Sequence, residues 1–587
     1  MHIHLHFFDE SRWTSDESIY FRGKGFSKAF SQSGSAIIRK IRNVASIDSA
    51  AELNEQLNGM FAWIKKEPHR VLLSVDQHRS VPLFYATKGD DVWISDHTEW
   101  IYRQLPEASP DEALAAEYLI LGYITGDQTL SRDIRQVEAG TIVEIADGSN
   151  GGSEGPASSN FDTKSICSHR NNSSACSGQN VPDTNLEVKS KRYFRFRHRY
   201  RQTDRRQLLH DYDDIVLQTM QRVTEYAAGR PIVVPLSGGL DSRLIALTLS
   251  RLNYPEVHCY TYGKKRSKEA SISKAIAENL NFHWTQIIYT KEKWRTWFQS
   301  HDRRLYYRLA SGLAGIPNIQ ELGALKELKE GHRVPEHPVI VGGHHGGPLT
   351  SGKGEFDDYT YRDHPEVNED TILSHILYYH YYLWNWSYHH DALFPFFRER
   401  VLNSLAPLET YPDSPSACES WNYHERQAKF IIHAGRLYDF FGYDWWMPYC
   451  DMDYLRFWLE VPLEYRQDKS LYTDYIDSIS PFEVPGYSPT KKILAIRSKI
   501  RNTPLFSPAQ KIYQNYVRRK RIKNEYKENP MAWYGLLNKT DFKSRFSGRE
   551  NINSFQSLEL LRTIFENGFL SVDDILNNLD SGDNNKV

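Results

Sequence analysis

A chain of 587 residues has room for more than one hydrophobic core, since a domain typically contains about 100–200 residues. The charged fraction of 25% and the formal net charge of -2 exclude a protein whose whole surface binds nucleic acid. No apolar run is long enough to span a bilayer, and the first residues lack the pattern of a signal peptide. The five scattered cysteines do not form a disulfide framework, so we expect a cytoplasmic protein with reduced thiols.

Residues 1–147 have the pattern of short strands and few long helices, which predicts a first domain over this range. Strand-like runs lie at 71–76, 92–95 and 141–145. The stretch 110–121 carries its apolar residues at helical spacing and is the plain helix of the region.

Residues 148–187 are dominated by Gly, Ser and Asn. Such a composition cannot bury enough apolar area to offset its ordering entropy, so we predict a flexible linker or insertion at 148–190. Cys167 and Cys176 lie in this stretch. They could pair or bind a metal, but two incidental thiols are the simpler interpretation.

From residue 191 onward, strand and helix patterns alternate. Strand patterns lie at 231–236, 257–262 and 282–289, and helix patterns lie at 244–252 and 267–280. This alternation predicts a parallel sheet with crossover helices, in a domain at 191–500. Residues 501–587 are predicted to form a helical extension.

The turn after the strand 231–236 has the composition of a phosphate-binding site. After Leu236 it reads Ser237, Gly238, Gly239, Leu240, Asp241 and Ser242. The glycines allow close approach to a ligand, and the first amides of the next helix favour an anion. Asp241 repels phosphate unless Mg²⁺ lies between them, so the turn fits pyrophosphate with magnesium. A turn that merely uses glycines is the alternative.

With this motif the chain resembles the N-type ATP pyrophosphatases. Its flanking segments resemble asparagine synthetases and the related β-lactam synthetases and lasso-peptide cyclases. The matching segments include 57–62, 76–85, 94–96, 122–124, 138–140, 192–194 and 447–451. The resemblance covers nearly the whole chain apart from the linker and the C-terminal tail. It implies an α/β and α+β protein, in which an N-terminal amidotransferase-like sandwich of Ntn type precedes a parallel-sheet synthetase domain.

The resemblance also implies the roles of individual residues. Those that would bind ATP are Leu236, Ser237, Gly238, Gly239, Leu240, Asp241, Ser242, Tyr262, Gly342 and Gly343. Leu236 and Tyr262 would flank the adenine or ribose, and Gly342 and Gly343 would border the adenylate. Asp241 would also bind Mg²⁺. Lys469 would be the catalytic residue that steadies the charge of the reaction.

The sequence departs from the family at two places. Glutamine-dependent members have a nucleophilic Cys at position 2, where this chain has His2. Imidazole cannot replace a thiolate that must form and release a thioester, so we expect no glutaminase activity. The synthetase domain normally carries two acids where this chain has Gly347 and Pro348. One of those acids usually supports a second Mg²⁺, which leaves Asp241 as the metal carboxylate of both motifs.

The sequence therefore predicts an amide-forming ATP-dependent ligase that uses free ammonia or another amine, with small-molecule carboxylate and amine substrates. A catalytically silent relative that binds nucleotide or a partner is the alternative. We expect no membrane or nucleic-acid partner, and a homodimer is an open option.

Three further patterns have plain structural interpretations. The alternating histidines His2, His4 and His6 could bind zinc, but a half-exposed first strand is simpler. The aromatic stretch 378–386 fits packing better than ligand stacking. The basic run 518–523 fits a solvated helix face.

Overall fold

A computed structural model describes residues 1–27, 30–105, 111–148, 185–350, 366–386, 393–466, 469–483, 506–528 and 536–565. Within these ranges no helix has both the length and the apolar character needed to cross a membrane.

The strands are β1 (His2–His6), β2 (Trp13–Asp16), β3 (Ile19–Ser27), β4 (Phe30–Gln32), β5 (Asn58–Glu67), β6 (Arg70–Val75), β7 (Phe84–Lys88), β8 (Asp91–Ser95), β9 (Arg135–Gln136), β10 (Thr141–Asp147), β11 (Leu186–Arg192), β12 (Ile232–Pro235), β13 (Val257–Gly263), β14 (His283–Ile288), β15 (Val339–Val341) and β16 (Asp444–Trp446).

The α-helices are α1 (Gly34–Arg42), α2 (Ile47–Glu55), α3 (Thr98–Gln104), α4 (Glu112–Leu121), α5 (Arg205–Ala227), α6 (Leu240–Arg251), α7 (Lys268–Asn279), α8 (Lys291–Gln299), α9 (His301–Ser311), α10 (Leu322–Glu330), α11 (Gly346–Thr350), α12 (Glu369–His380), α13 (Leu393–Ser404), α14 (Ser414–Asn422), α15 (Arg436–Phe440), α16 (Met452–Glu460), α17 (Leu463–Arg466), α18 (Ser470–Ile479), α19 (Phe506–Glu528), α20 (Lys539–Arg545) and α21 (Ile552–Phe565).

The N-terminal domain is the predicted α+β sandwich. One sheet has the order β11-β10-β6-β5-β3-β2, with β4 paired to β3, and the other has the order β1-β8-β7-β9. Apolar residues such as Ile64 and Leu73 of the first sheet pack against Tyr85 and Ile94 of the second. Helices α1 and α2 cover the outer face of the first sheet, and α3 covers that of the second. The central strands of each sheet are therefore covered on both faces.

The predicted end of the linker at residue 190 is wrong. Strand β11 pairs antiparallel with β10 along its whole length, from Thr141 opposite Arg192 to Asp147 opposite Leu186. It was missed because it is a largely exposed, lysine-containing edge strand with almost no apolar alternation. The Gly148 amide donates to the Asn185 carbonyl at 2.8 Å, so the low-complexity stretch is inserted in a hairpin of the first domain. Cys167 and Cys176 lie outside the described residues.

The C-terminal domain contains the predicted parallel sheet, with the order β14-β13-β12-β15-β16. The chain runs from β12 outward through β13 to β14, then returns to place β15 on the other side of β12. Strand order reverses between β12 and β15. In open sheets of this kind, ligands bind in the crevice at the carboxyl ends of the strands on either side of such a reversal.

Helices from the C-terminal part of the chain contact both domains: α16 packs against α5 and β5, and α21 packs against α4. In the aromatic stretch, Trp386 is buried against Phe397, whereas Tyr378 and Tyr382 are exposed. In the basic run, Arg518 and Arg521 donate to main-chain carbonyls at 547–550, so only part of that helix face is solvated.

The two domains share a buried polar interface. Arg22 contacts Asp96 of its own domain at 2.9 Å and Asp439 of the second domain at 2.8 Å. Arg12 also reaches Asp439, at 3.1 Å. Separating the domains would leave these buried charges without their partners, which is costly. The ion pairs therefore help to fix the relative position of the two domains.

Candidate functional site

The predicted phosphate-binding turn lies at the switch point of the parallel sheet. Leu236 is buried, and its amide donates to the Tyr260 carbonyl at 2.9 Å, which extends the pairing of β12 with β13. Helix α6 begins at Leu240, and its N-cap residue Gly239 has no capping side chain. The first amides of a helix have no acceptor within the helix, so those of α6 are available to an anion.

The two serines of the turn hold its shape. Ser242 Oγ accepts from the Ser237 amide at 3.0 Å and lies 3.1 Å from Ser237 Oγ. Ser237 Oγ accepts in turn from the Gly239 amide at 3.1 Å. The serine hydroxyls therefore pre-organise the backbone of the turn, which lowers the cost of ordering it around a ligand.

Asp241 is held by residues from far along the chain. The Tyr472 hydroxyl donates to Asp241 Oδ1 at 2.8 Å, and the Tyr449 hydroxyl donates to the Asp241 main-chain oxygen at 2.6 Å. Burial raises the pKa of the Asp241 carboxyl, while the Lys469 ammonium, the Tyr472 hydroxyl and the Gly347 amide oppose that shift. Oδ1 is thus committed to Tyr472, and Oδ2 is left facing Gly347 and Lys469.

The loop after β15 packs its backbone against the turn. A Cβ added to Gly343 would lie 3.0 Å from the Ser242 amide nitrogen, and one added to Gly346 would lie 2.9 Å from Asp241 Cγ. At Gly347 the same atom would lie 3.5 Å from Lys469 Nζ and 3.6 Å from Asp241 Oδ2, which is ordinary contact. Position 346 therefore requires glycine, whereas position 347 has room for a side chain.

Most of the predicted site residues meet in this crevice. The turn 237–242, Gly343 and Lys469 lie around Asp241, whereas Gly342 lies beside His344 and Tyr438. Tyr262 follows at the end of β13, where its ring stacks on Tyr289 with centroids 5.4 Å apart. Their roles toward a nucleotide stay predictions.

Sequence reasoning missed two groups beside this site. Tyr449 belongs to the segment 447–451 that resembles the family, but nothing in the sequence indicates that its hydroxyl contacts Asp241. No sequence pattern points to Tyr472. Glu321 is the second omission. It is buried and accepts from the hydroxyls of Tyr260 and Tyr438, and burial raises its pKa to about 7.

The histidines that follow Gly343 do not replace the missing acids. Burial lowers the pKa of His344 and of His345 to about 4, so both imidazoles are neutral near pH 7. Mg²⁺ prefers oxygen ligands, and neutral imidazole nitrogen suits it poorly. Among the residues that the structure describes, the buried atoms His344 Nδ1 and His345 Nε2 have no hydrogen-bond partner.

Asp241 by itself fits a magnesium ion that arrives with ATP. Mg²⁺ is commonly bound by one or two carboxylates together with substrate phosphates and water. Asp241 Oδ2 lies beside Gly347 and Lys469, and the adjacent turn has amides and hydroxyls that could bind phosphates. Lys469 adds a positive charge at the same place.

The alternating histidines of β1 do not form a metal site. His4 Nε2 lies 2.7 Å from Asp91 Oδ1, and His6 Nδ1 donates to the Phe7 carbonyl at 2.9 Å. Across the described ranges, no group of three or more His, Cys, Asp or Glu side chains is arranged to hold a metal ion.

Each domain contains a stretch that is similar to a known protein family. The family model for asparagine synthase matches residues 216–301, and that for the glutamine amidotransferase domain matches residues 44–154. No curated protein matches the chain. The first match lies within the parallel-sheet domain and the second lies largely within the N-terminal sandwich, so each family model covers part of one domain.

Two solved structures align with part of the chain. One is the allosteric regulatory enzyme of purine biosynthesis, with 9% identity over 46% of this chain and 61% of that chain, at a TM-score of 0.17. The other is glutamine phosphoribosylpyrophosphate amidotransferase from B. subtilis complexed with ADP and GMP, with 10% identity, 51% and 74% coverage, and a TM-score of 0.19. The chain thus spans less than two thirds of the first structure, and scores this low support no functional conclusion.

Proposed function

We propose that the chain is an ATP-dependent carbon–nitrogen ligase of the asparagine synthetase type, which forms an acyl-adenylate and then an amide. The matches to the asparagine synthase and glutamine amidotransferase family models support this proposal. The observation that carries the proposal is the meeting of the turn 237–242, Asp241 and Lys469 at the switch point of the parallel sheet. The family itself supports ATP-dependent amide formation in general. The adenylate and the amine source are the finer parts of the proposal.

In the proposed first step, a carboxylate oxygen attacks the α-phosphorus of ATP, and the bond to pyrophosphate breaks. The free amides of α6 and the hydroxyls of Ser237 and Ser242 would hold the phosphates. Leu236 and Tyr262 would flank the adenine or ribose. Lys469, beside Asp241, would stabilise the charge on the phosphoryl oxygens. Asp241 would hold a magnesium ion, which would supply Lewis-acid chemistry at this site.

In the second step, an amine attacks the acyl carbon, AMP leaves, and the amine nitrogen loses a proton. We propose free ammonia or another amine as the donor rather than glutamine, because His2 stands on an exposed part of β1 and offers no thiolate. Formation of asparagine from aspartate is the default of the family. Amidation of a carboxylate on a sugar or a peptide would use the same chemistry.

One observation favours a second candidate, a relative that binds nucleotide without catalysis. Gly347 lies beside Asp241 and Lys469 with room for a side chain, yet contributes no carboxylate there. A site with one carboxylate has less capacity to hold metal ions than a site with two. Such a protein would bind Mg-ATP at the same turn and release no pyrophosphate.

Exchange of labelled pyrophosphate into ATP, measured with a panel of carboxylates that includes aspartate, separates the two candidates. Exchange that depends on a carboxylate supports the ligase, and Mg-ATP binding without exchange supports the silent relative. Asp241→Ala should remove metal-dependent ATP affinity, and unchanged Mg-ATP binding by calorimetry would rule out its assigned role. Ser237→Ala should cost about 1.5–3 kcal/mol of ATP binding if its hydroxyl donates to a charged phosphate oxygen.

The chain offers a matched control for Asp241→Ala at the other end of the same helix. Asp213 forms an ion pair with Arg251, the last residue of α6, at 2.6 Å. Asp213→Ala should leave Mg-ATP binding unchanged, because it removes a carboxylate remote from the turn. Equal loss in both variants would mean that the effect is general destabilisation.

A further inference from the structure

One residue of the N-terminal domain reaches both backbone segments that border the phosphate-binding turn. His78 follows β6 and is fully buried at the domain interface. Its Nε2–H donates to the Cys450 carbonyl at 2.6 Å, which leaves Nδ1 to accept from the Tyr423 hydroxyl at 2.8 Å. Its ring lies 5.8 Å from that of His345, centroid to centroid.

The first of these segments is the loop after β15. His345 has a left-handed backbone with φ of 74°, which is uncommon for a residue other than glycine. Such a conformation persists only where the surrounding structure holds it. The neighbouring Gly343 and Gly346 make the close contacts with Ser242 and Asp241. Any shift of His345 therefore moves the backbone that shapes the turn.

Three side chains hold His345 in this conformation. Its Nδ1–H donates to Gln427 Oε1 at 3.1 Å, and its ring contacts those of His78 and Tyr423. Tyr423 and Gln427 lie on a π-helical segment, Tyr423–Ile431, that follows α14. Interruptions of this kind are rare and are frequent at functional sites. All four side chains are buried.

The second segment runs through Cys450. The Cys450 carbonyl accepts from His78, and the preceding Tyr449 donates its hydroxyl to the Asp241 main-chain oxygen. His78 is thus one residue away from a direct anchor of Asp241 on this side, and in ring contact with the loop on the other.

The N-terminal domain holds His78 rigidly. The Asp76 carboxylate accepts from the amides of Phe61, His78 and Ser80 and from the Ser80 hydroxyl. This network fixes the backbone between β6 and β7 and presents the imidazole to the other domain. The burial of His78 keeps it neutral near pH 7, so its contacts do not change with pH in the physiological range.

We infer that His78 is a positioning residue for the synthetase site, through which the N-terminal domain holds the loop after β15 and the segment 448–450 against Asp241. In this way the N-terminal domain would support the synthetase site, a role that needs no nucleophile at position 2. It concerns the ATP-binding site of the proposed function, but its main test does not depend on ATP.

The test is hydrogen–deuterium exchange of full-length His78→Leu without ligand. Amides at 342–350 and 448–452 should exchange faster by at least about three- to tenfold, because that change is expected for one lost buried hydrogen bond and the variant removes two. Arg12→Ala is the matched control, because Arg12 bridges the same two domains through Asp439 and the Tyr443 carbonyl without contacting either segment. Its exchange should rise near 439–443 and stay unchanged at 342–350.

Tyr423→Phe serves if His78→Leu does not fold, since it removes only the hydroxyl donated to His78 and Gln77. It should raise exchange in the same two segments by a smaller factor. Unchanged exchange in the variant that folds, or an equal rise at 342–350 in Arg12→Ala, would overturn the inference.

Calorimetry then separates this inference from the proposed function. Mg-ATP affinity should fall in His78→Leu by a factor similar to the exchange effect, and stay unchanged in Arg12→Ala. Failure of the wild-type protein to bind Mg-ATP would refute the proposed function, while the exchange result would still decide the role of His78.

Discussion

A single methyl group added at Gly346 should disturb Asp241, whereas the same group added at the adjacent Gly347 should not. The Cβ of Gly346→Ala would lie 2.9 Å from Asp241 Cγ and Oδ1, and 2.9 Å from Tyr449 Cδ2. The Cβ of Gly347→Ala would lie at 3.5 Å or more from its neighbours. Both residues lie in α11, so the two variants share their secondary structure.

These contacts give the expected size of the change in stability and in Mg-ATP affinity. Overpacking of this kind costs about 1–3 kcal/mol, and alanine in place of glycine in a helix returns at most about 1 kcal/mol. Gly346→Ala should therefore lose up to about 3 kcal/mol of stability, and Gly347→Ala should lose none. If Asp241 shifts, one interaction with a charged ligand is lost, and Mg-ATP affinity should fall about ten- to hundredfold.

Titration calorimetry with Mg-ATP and urea unfolding would measure both effects. We expect weak Mg-ATP binding by Gly346→Ala and nearly wild-type binding by Gly347→Ala. Equal losses in the two variants, or full affinity in Gly346→Ala, would show that the loop does not control the Asp241 carboxylate.

Three further outcomes are expected. Purified protein incubated with glutamine should release no glutamate above background, because His2 cannot form the thioester; release that disappears on changing His2 would contradict this. Replacing 149–184 by a short Gly-Ser turn should leave the melting temperature within a few degrees, since β10 and β11 already meet at Gly148 and Asn185 and loop-closure entropy changes by only about 0.6 kcal/mol per doubling of length; collapse of the fold would assign this stretch a structural role. Burial raises the pKa of Glu321 from 4.5 to about 7, so the folded protein holds a proton there that the unfolded chain releases. The bound proton stabilises the folded state at low pH, and this contribution to stability is lost as the pH rises through about 7. Glu321→Gln should therefore gain stability relative to wild type between about pH 5 and 8, by about 3 kcal/mol at most, and a constant difference in urea melts across that range would contradict the assignment.

The sequence by itself determined the parts of the site that are local. The turn 237–242 could be recognised because a buried strand, two glycines, two hydroxyls and a helix start follow one another within a few residues, and each has a physical role that does not depend on distant parts of the chain. The parallel sheet was recognisable for the same reason, since strand and helix periods alternate along the chain. Glycine and proline at 347 and 348 were visible as a departure without any coordinates.

Only the tertiary structure decided which distant side chains act on that turn. Tyr449 and Tyr472 hold Asp241 across more than two hundred residues of chain, and no sequence period relates them to it. The edge strand β11 was missed because an exposed strand has no buried face to impose apolar alternation. The contact between His78 and His345 exists because β15 returns to the side of β12 opposite β13 and the first domain packs on its loop. Contacts of this kind depend on how the domains pack, which short-range patterns do not encode.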